Sequence, residues 1–224
     1  MMNPLDNMSD DEQKTAEQLK VLWESKRYKE LRATASNDHS PQSLFYLGRL
    51  YRYGYGGVKK DPQAALICFL RSNSKEGFHE GLEVLWINRS SVSTEQLINL
   101  FEALESCGVP GASAYLGKVY HLGNGEGTVS FSKAVDSFMR ADSDDTPWVV
   151  PEMFDCAFKI PNYVKMQQVV GLVRSQADKG DAQCMVRMGR AYKFGKGVRL
   201  DPDQSKIWFD KARQTDPSLH ITDA

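Results

Sequence analysis

Apolar and small residues recur at helical spacing near residue 50. Leu44, Leu47, Gly48 and Tyr51 fall at positions i, i+3, i+4 and i+7, which is the periodicity of one helix face. This stretch ends at a glycine-rich segment, residues 54–57. The pattern therefore predicts a helix that stops at a glycine turn.

A second apolar face follows the turn. Asp61 can supply an N-cap oxygen and Pro62 a preset first-turn φ, and Ala65 and Phe69 then begin the next apolar stripe. The same device returns at Asp201, whereas Ser130 is the expected cap in the middle of the chain. Each turn is therefore predicted to join two helices into a hairpin.

Three copies of this hairpin can be recognised. In each copy a glycine is followed after three residues by a tyrosine and then by two glycines that one residue separates. The predicted structural residues are Gly48, Tyr51, Gly54, Gly56, Gly117, Tyr120, Gly123, Gly125, Gly189, Tyr192, Gly195 and Gly197. Self-similarity of this kind indicates a stacked repeat protein.

The first glycine of each copy lies inside a predicted helix, where it costs about 0.5–1 kcal/mol relative to alanine. We interpret these glycines as points where the second helix of the hairpin approaches closely. The small residues expected opposite them are Ala65, Ala134 and Ser205.

The spacing of the copies predicts further helix pairs. Gly48 and Gly117 are 69 residues apart and Gly117 and Gly189 are 72 apart, about twice the length of one pair. Degenerate pairs are predicted at 77–106 and 147–179, and an N-terminal capping hairpin at 9–36. The expected fold is all-α, a right-handed α-solenoid of about six antiparallel helix pairs, forming one domain over residues 1–224.

Composition narrows the classes of function. The chain is 41% hydrophobic and 25% charged, with a net charge of −1, so no nucleic-acid or membrane partner is expected. The first twelve residues are acidic, which is the opposite of a secretory n-region, and no apolar run is long enough to cross a bilayer. A cytoplasmic protein is expected.

Residues with catalytic or metal-binding potential are scattered. The four cysteines form no C-x-x-C pair and are interpreted as small buried hydrophobes, and the four histidines show no ligand spacing. Glu102 with Glu105, and Asp142 with Asp144 and Asp145, are interpreted as solvated charges, and the four tryptophans as core anchors of separate hairpins. No catalytic residue, cofactor or metal is predicted.

Residues 43–73, 112–141 and 182–212 resemble Sel-1-like repeats, relatives of the tetratricopeptide repeat. The turn Gly54-Tyr55-Gly56-Gly57-Val58, the cap Asp201 and the aromatic Trp208 match that pattern, whereas the middle copy lacks the Val and Asp of the turn. The resemblance implies a non-enzymatic scaffold or adaptor for protein–protein interaction.

A candidate binding surface follows from the same resemblance. In tetratricopeptide-like hairpins the residue after the first-helix glycine, and the residue three further on, point into a concave groove. An apolar or aromatic residue follows each pair here. This predicted stripe consists of Arg49, Arg52, Tyr53, Lys118, His121, Leu122, Arg190, Lys193 and Phe194.

A cationic row beside an apolar row suits a partner protein or peptide that is acidic and carries hydrophobic anchors. The alternative is that these long basic side chains are solvent-exposed helix residues with no binding role. Two other functions remain open: a dedicated inhibitor or immunity-type protein for one partner, and an enzyme or small-ligand binder whose site the sequence does not reveal.

Overall fold

The computed structural model describes residues 9–123, 130–142 and 146–221. These ranges contain twelve α-helices and a short 3-10 helix at Arg89–Ser91, with no β-strand among them. The all-α prediction is confirmed. The chain divides into two compact units, Met1–Ser91 and Val92–Ala224, and the single domain over 1–224 stays a prediction.

Unit 1 contains five α-helices in two layers. Helix α3 packs against α4, α4 packs against α5, and α1 contacts both α2 and α3. The helices are α1 (Asp10–Glu24), α2 (Tyr28–Asn37), α3 (Pro41–Tyr53), α4 (Pro62–Arg71) and α5 (Lys75–Ile87). Both helices of the predicted capping hairpin are therefore present.

Unit 2 contains the remaining seven α-helices of the described residues, and each packs against the next one in the chain. Helix α9 also contacts α11, so these two helices belong to one layer. The helices are α6 (Thr94–Ser106), α7 (Ala112–Leu122), α8 (Phe131–Phe138), α9 (Val149–Ala157), α10 (Tyr163–Asp178), α11 (Ala182–Phe194) and α12 (Pro202–Thr215). Helices α5 and α6 overlap the degenerate pair predicted at 77–106, and α9 and α10 overlap the pair predicted at 147–179. Helix α9 packs against α10, whereas the pairing of α5 with α6 stays a prediction.

Predicted N-caps are confirmed at two of three hairpins. The Asp61 carboxylate accepts hydrogen bonds from the backbone N–H groups of Gln63 and Ala64, and that of Asp201 accepts one from Gln204. Ser130 lies at the N-cap position of α8, but its side chain makes no capping hydrogen bond. The middle hairpin therefore lacks the side-chain cap that Asp61 and Asp201 provide elsewhere.

The first glycine of each repeat contacts an aromatic ring. A Cβ on Gly48 would lie 2.7 Å from Phe69, and one on Gly189 would lie 2.6 Å from Phe209. Gly117 faces Phe138 in the same way. The close approach is confirmed: the nearest atoms belong to the phenylalanine one helical turn after the predicted small residue, and the Ser205 hydroxyl also donates a hydrogen bond to the Gly189 carbonyl oxygen at 2.9 Å.

The turn glycines have two different structural roles. Gly54 and Gly195 end α3 and α11 in the left-handed conformation, with φ of 74° and 61°. Gly56 and Gly197 also have positive φ, and their backbones lie against the carbonyl oxygens of Tyr28 and Met166, so a side chain would clash there. Gly125, Asp144 and Asp145 lie outside the described residues.

Two interpretations of apolar residues need correction. Cys156 and Cys184 are buried, and burial is the main cause that raises the pKa of each thiol to about 12, but Cys107 is exposed. Trp208 is buried in the core, whereas Trp23 lies half-buried in a group of tyrosine rings. Helix periodicity identified apolar residues without showing which of them have neighbours on every side.

Glu105 was interpreted as solvated, and this interpretation is wrong. Its carboxylate accepts two hydrogen bonds from Arg140, at 2.8 and 3.1 Å, and one from the Ser113 hydroxyl at 2.8 Å. The hydrogen bond from Arg140 is the main reason that the pKa of Glu105 lies below its ordinary value of 4.5; partial burial opposes it and Ser113 adds to it. Glu105 therefore joins α6 to the end of α8.

Glu105→Gln should remove an acid-sensitive contribution to stability. A lowered carboxyl pKa in the folded state stabilises the protein fully above the ordinary value of 4.5, and the contribution disappears as pH falls through the folded pKa. Urea unfolding of the parent and the variant should therefore differ at neutral pH and converge in acid. Arg140→Gln should give the same profile, and parallel curves for parent and variant would contradict the assignment.

Candidate functional site

In unit 1 the predicted cations of α3 contact carboxylates of α5. Arg52 pairs with Glu80 and, at 2.8 Å, with Glu83, and Arg49 lies 3.8 Å from Glu80. Burial alone would lower the pKa of Arg52, but the hydrogen bond to Glu83 and the nearby Glu80 charge outweigh burial and raise it. The positive charges at this end of the predicted stripe are thus matched by carboxylates of the same unit.

In unit 2 the basic residues of α7 lie beside a carboxylate of α9. Lys118 lies 3.8 Å and His121 3.6 Å from the two carboxylate oxygens of Glu152 on α9. The Lys118 ammonium also lies 4.0 Å from the centre of the Trp148 ring. Arg49 makes the equivalent contact in unit 1, at 4.1 Å from Trp23.

A second carboxylate of α9 pairs with basic residues of α11. Asp155 accepts a hydrogen bond from Arg187 at 2.7 Å and lies 3.5 Å from Arg190. Helix α9 therefore places one carboxylate toward α7 and one toward α11. The threefold recurrence of basic residues corresponds to ion pairs between helices of the same layer, and this intramolecular role was not predicted.

Exposed apolar side chains remain at one equivalent position of each repeat. Tyr53, Leu122 and Phe194 directly precede Gly54, Gly123 and Gly195, at the end of the first helix of each repeat. Their exposed fractions are 42%, 49% and 43%. We call these three residues the apolar anchors.

Tyr53 belongs to a larger aromatic group in unit 1. Its ring stacks on Tyr55 with centroids 5.6 Å apart, Tyr55 stacks on Tyr28 at 4.6 Å, and Trp23 lies within 6.3 Å of all three rings. Phe194 in unit 2 makes an edge contact with Phe158 at 5.5 Å. Tyr53 and Phe194 are therefore each held in place by contacts with neighbouring aromatic rings.

Sequence reasoning missed the acidic partners of the stripe. Glu80 with Glu83, and Glu152 with Asp155, are each spaced i, i+3, as are Arg49 with Arg52 and Lys118 with His121. Residues with this spacing share a helix face. The matching spacing of opposite charges on α3 and α5, and on α7 and α9, was the signal that could have revealed the pairing.

Two features are absent from the part of the chain that the structure describes. It contains no group of three or more His, Cys, Asp or Glu residues placed to hold a metal ion. None of its helices has the length and apolar character needed to span a membrane.

Comparison with known proteins identifies the repeats. Residues 41–75, 110–136 and 182–214 match the family model described as Sel1 repeat, which confirms the three copies predicted from the sequence. The middle match ends five residues before the predicted end at 141. No curated protein sequence matches the chain significantly.

Solved structures share the fold. A Sel1 repeat protein from Oxalobacter formigenes is 20% identical with a TM-score of 0.59, and the alignment covers 90% of this chain and 84% of that one. A protective antigen of uropathogenic Escherichia coli strains, which displays an SLR fold, is 17% identical with a TM-score of 0.63. The match covers 83% of this chain but only 40% of the antigen.

Proposed function

We propose that this chain, which carries three Sel1 repeats, is a non-enzymatic scaffold that binds a partner protein or peptide through side chains at the ends of the first helices of its repeats. The observation that carries the proposal is the set of apolar anchors. Large apolar side chains at equivalent positions of three repeats stay more than 40% exposed. Repeated exposure of this kind is typical of an interaction surface.

The proposed surface keeps the predicted stripe but changes the role of its charges. Arg49, Arg52 and Arg190 already contact carboxylates of their own unit, so they hold the layer together beside the anchors. Binding energy would then come mainly from apolar burial on rigid rings, as at the centre of many interfaces. The cytoplasmic localisation predicted from the sequence stays part of this proposal.

A dedicated inhibitor of a single partner would use the same surface. A tight complex with one protein would favour that role, and several weaker partners would favour an adaptor. The exposure of the anchors is equally compatible with both.

Replacing all three anchors by serine should abolish capture of the partner. The test compares three immobilised proteins in one native lysate: the parent chain, Y53S/L122S/F194S, and the control I67S/V164S/I207S. The control removes exposed apolar side chains of similar exposure, 45–65%, from α4, α10 and α12. Loss of anchor contacts should weaken binding at least about tenfold, because apolar interface residues often contribute more than about 1 kcal/mol each.

A partner that the parent and the control capture, and that the anchor variant loses, supports the proposal. Equal capture by all three proteins would place the binding surface elsewhere. If the parent captures no protein, the scaffold function itself is contradicted.

A further inference from the structure

The ends of α9 and α11 in unit 2 form a cluster of phenylalanine rings and lysines. Phe158 follows α9 and contacts Phe194 at the end of α11, and Phe131 begins α8 nearby. Lys159 lies 4.6 Å from the centre of the Phe131 ring, and Lys196 lies 5.3 Å from that of Phe158. We call these five residues the basic aromatic patch.

The lysines of the patch differ from the arginines beside it. Arg187 and Arg190 share the Asp155 carboxylate, which compensates one of their two positive charges. Lys159 and Lys196 are exposed, and neither forms an ion pair within the described part of the chain. Their ring contacts orient the two ammonium groups but do not neutralise them.

Local geometry explains why positive charge collects at this place. Asp155 contacts Arg187 and Arg190, and Phe158, one turn later, contacts Phe194, so α9 and α11 run in the same direction. Their carboxyl ends are therefore neighbours. The partial negative charge of helix C-termini favours cations nearby, but it does not satisfy a full ammonium charge that remains in water.

We propose that the basic aromatic patch binds an acidic segment of the partner protein that carries an aromatic anchor. This inference rests on the proposed scaffold function and names the chemistry that one part of its surface recognises. The partner's ring packs against Phe158 and Phe194, where aromatic pairs favour edge contacts. Its carboxylates, placed on either side of that ring, pair with Lys159 and Lys196.

The proposal moves acidic recognition away from the arginines of the predicted stripe. A partner carboxylate at Arg190 would compete with Asp155. Asp155 belongs to the same chain, so its pairing with Arg190 costs no translational freedom, whereas the pairing of a separate partner does. At Lys159 and Lys196 no carboxylate of the described chain has to be displaced. A partner carboxylate can therefore pair with the lysines of the patch, whereas most basic side chains of the stripe already face carboxylates of the chain itself.

The test is fluorescence polarisation with the full chain and a short labelled peptide in which glutamates flank one phenylalanine. K159E/K196E should weaken binding by roughly tenfold or more, because two attractive contacts become repulsive. The matched control K206E/K211E changes net charge equally on α12 and should leave the affinity within about twofold. Replacing the peptide's phenylalanine by alanine, or its glutamates by lysines, should also weaken binding.

Three outcomes would overturn the inference. One is equal peptide affinity for the patch variant K159E/K196E and its control. Another is a lower melting temperature for K159E/K196E with unchanged peptide affinity, because the lysines would then have a purely structural role at the helix ends. The third is tighter binding of a single-stranded oligonucleotide than of the acidic peptide, since bases also stack on aromatic rings beside lysines. None of these outcomes touches the scaffold proposal, which is tested separately by whether the parent chain captures a partner from the lysate.

Discussion

Truncating Phe138 to alanine should lower the free energy of unfolding by about 3–5 kcal/mol, the largest effect expected from one substitution outside the binding surface. Phe138 is 1% exposed, its ring covers Gly117, and it makes an edge contact with Trp148 at 6.3 Å. Removing the ring leaves a cavity between α7, α8 and α9 that rigid neighbours cannot fill. Urea unfolding followed by far-UV circular dichroism measures the change.

Phe194→Ala provides the matched control, because it removes the same side chain from the same unit. Phe194 is 43% exposed and loses mainly its contact with Phe158, so a cost of about 1–2 kcal/mol is expected. If the two variants unfolded at the same urea concentration, the ring of Phe138 could not be the element that closes the hairpin.

Gly117→Ala should destabilise unit 2 by about 1–3 kcal/mol, although alanine is the better helix former. The added Cβ would lie closer to the Phe138 ring than real Cβ atoms approach their neighbours, and that ring is itself fixed by the core. Gly171→Ala is the opposite case. Gly171 lies inside α10 with no atom within 4 Å of the Cβ position, so alanine there should stabilise by about 0.5–1 kcal/mol.

The two glycine substitutions should change the free energy of unfolding in opposite directions, and this comparison is the decisive measurement. If Gly117→Ala stabilised the protein, the hairpin would not require the absence of a side chain at this position. The double variant G117A/F138A adds a second check, because the new methyl group enters the space that the ring vacated. Its cost should fall short of the sum of the two single costs by about 0.5–3 kcal/mol.

The arrangement of charges in these repeats separates structural residues from candidate binding residues. Cations on α3, α7 and α11 reach carboxylates on α5 and α9, so the basic positions join neighbouring hairpins. Such a neighbour contact is what a repeat protein needs, because each hairpin is stabilised mainly by the next one. Lys159 and Lys196 make no such pair within the described residues, and we propose that they, together with the apolar anchors, contact a partner.

Helix positions and caps were predictable because they depend on local sequence. An apolar residue every three or four positions predicts a helix, and Asp61 or Gly54 marks its end by chemistry that involves only adjacent backbone. The repeats were found for the same reason, since identical local patterns recur at Gly48, Gly117 and Gly189.

The sequence by itself thus determined the all-α class, the order of the helices, the three segments that match the Sel1 repeat model and the positions whose side chains had to be absent. Only the tertiary structure decided what those positions contact and which cations remain available to a partner. Phe138 reaches Gly117 and Arg190 reaches Asp155 across distances of 21 and 35 residues in the chain. Electrostatic pairing and packing depend on separation in space, and separation in space between helices is set by how the hairpins stack, which no local pattern records.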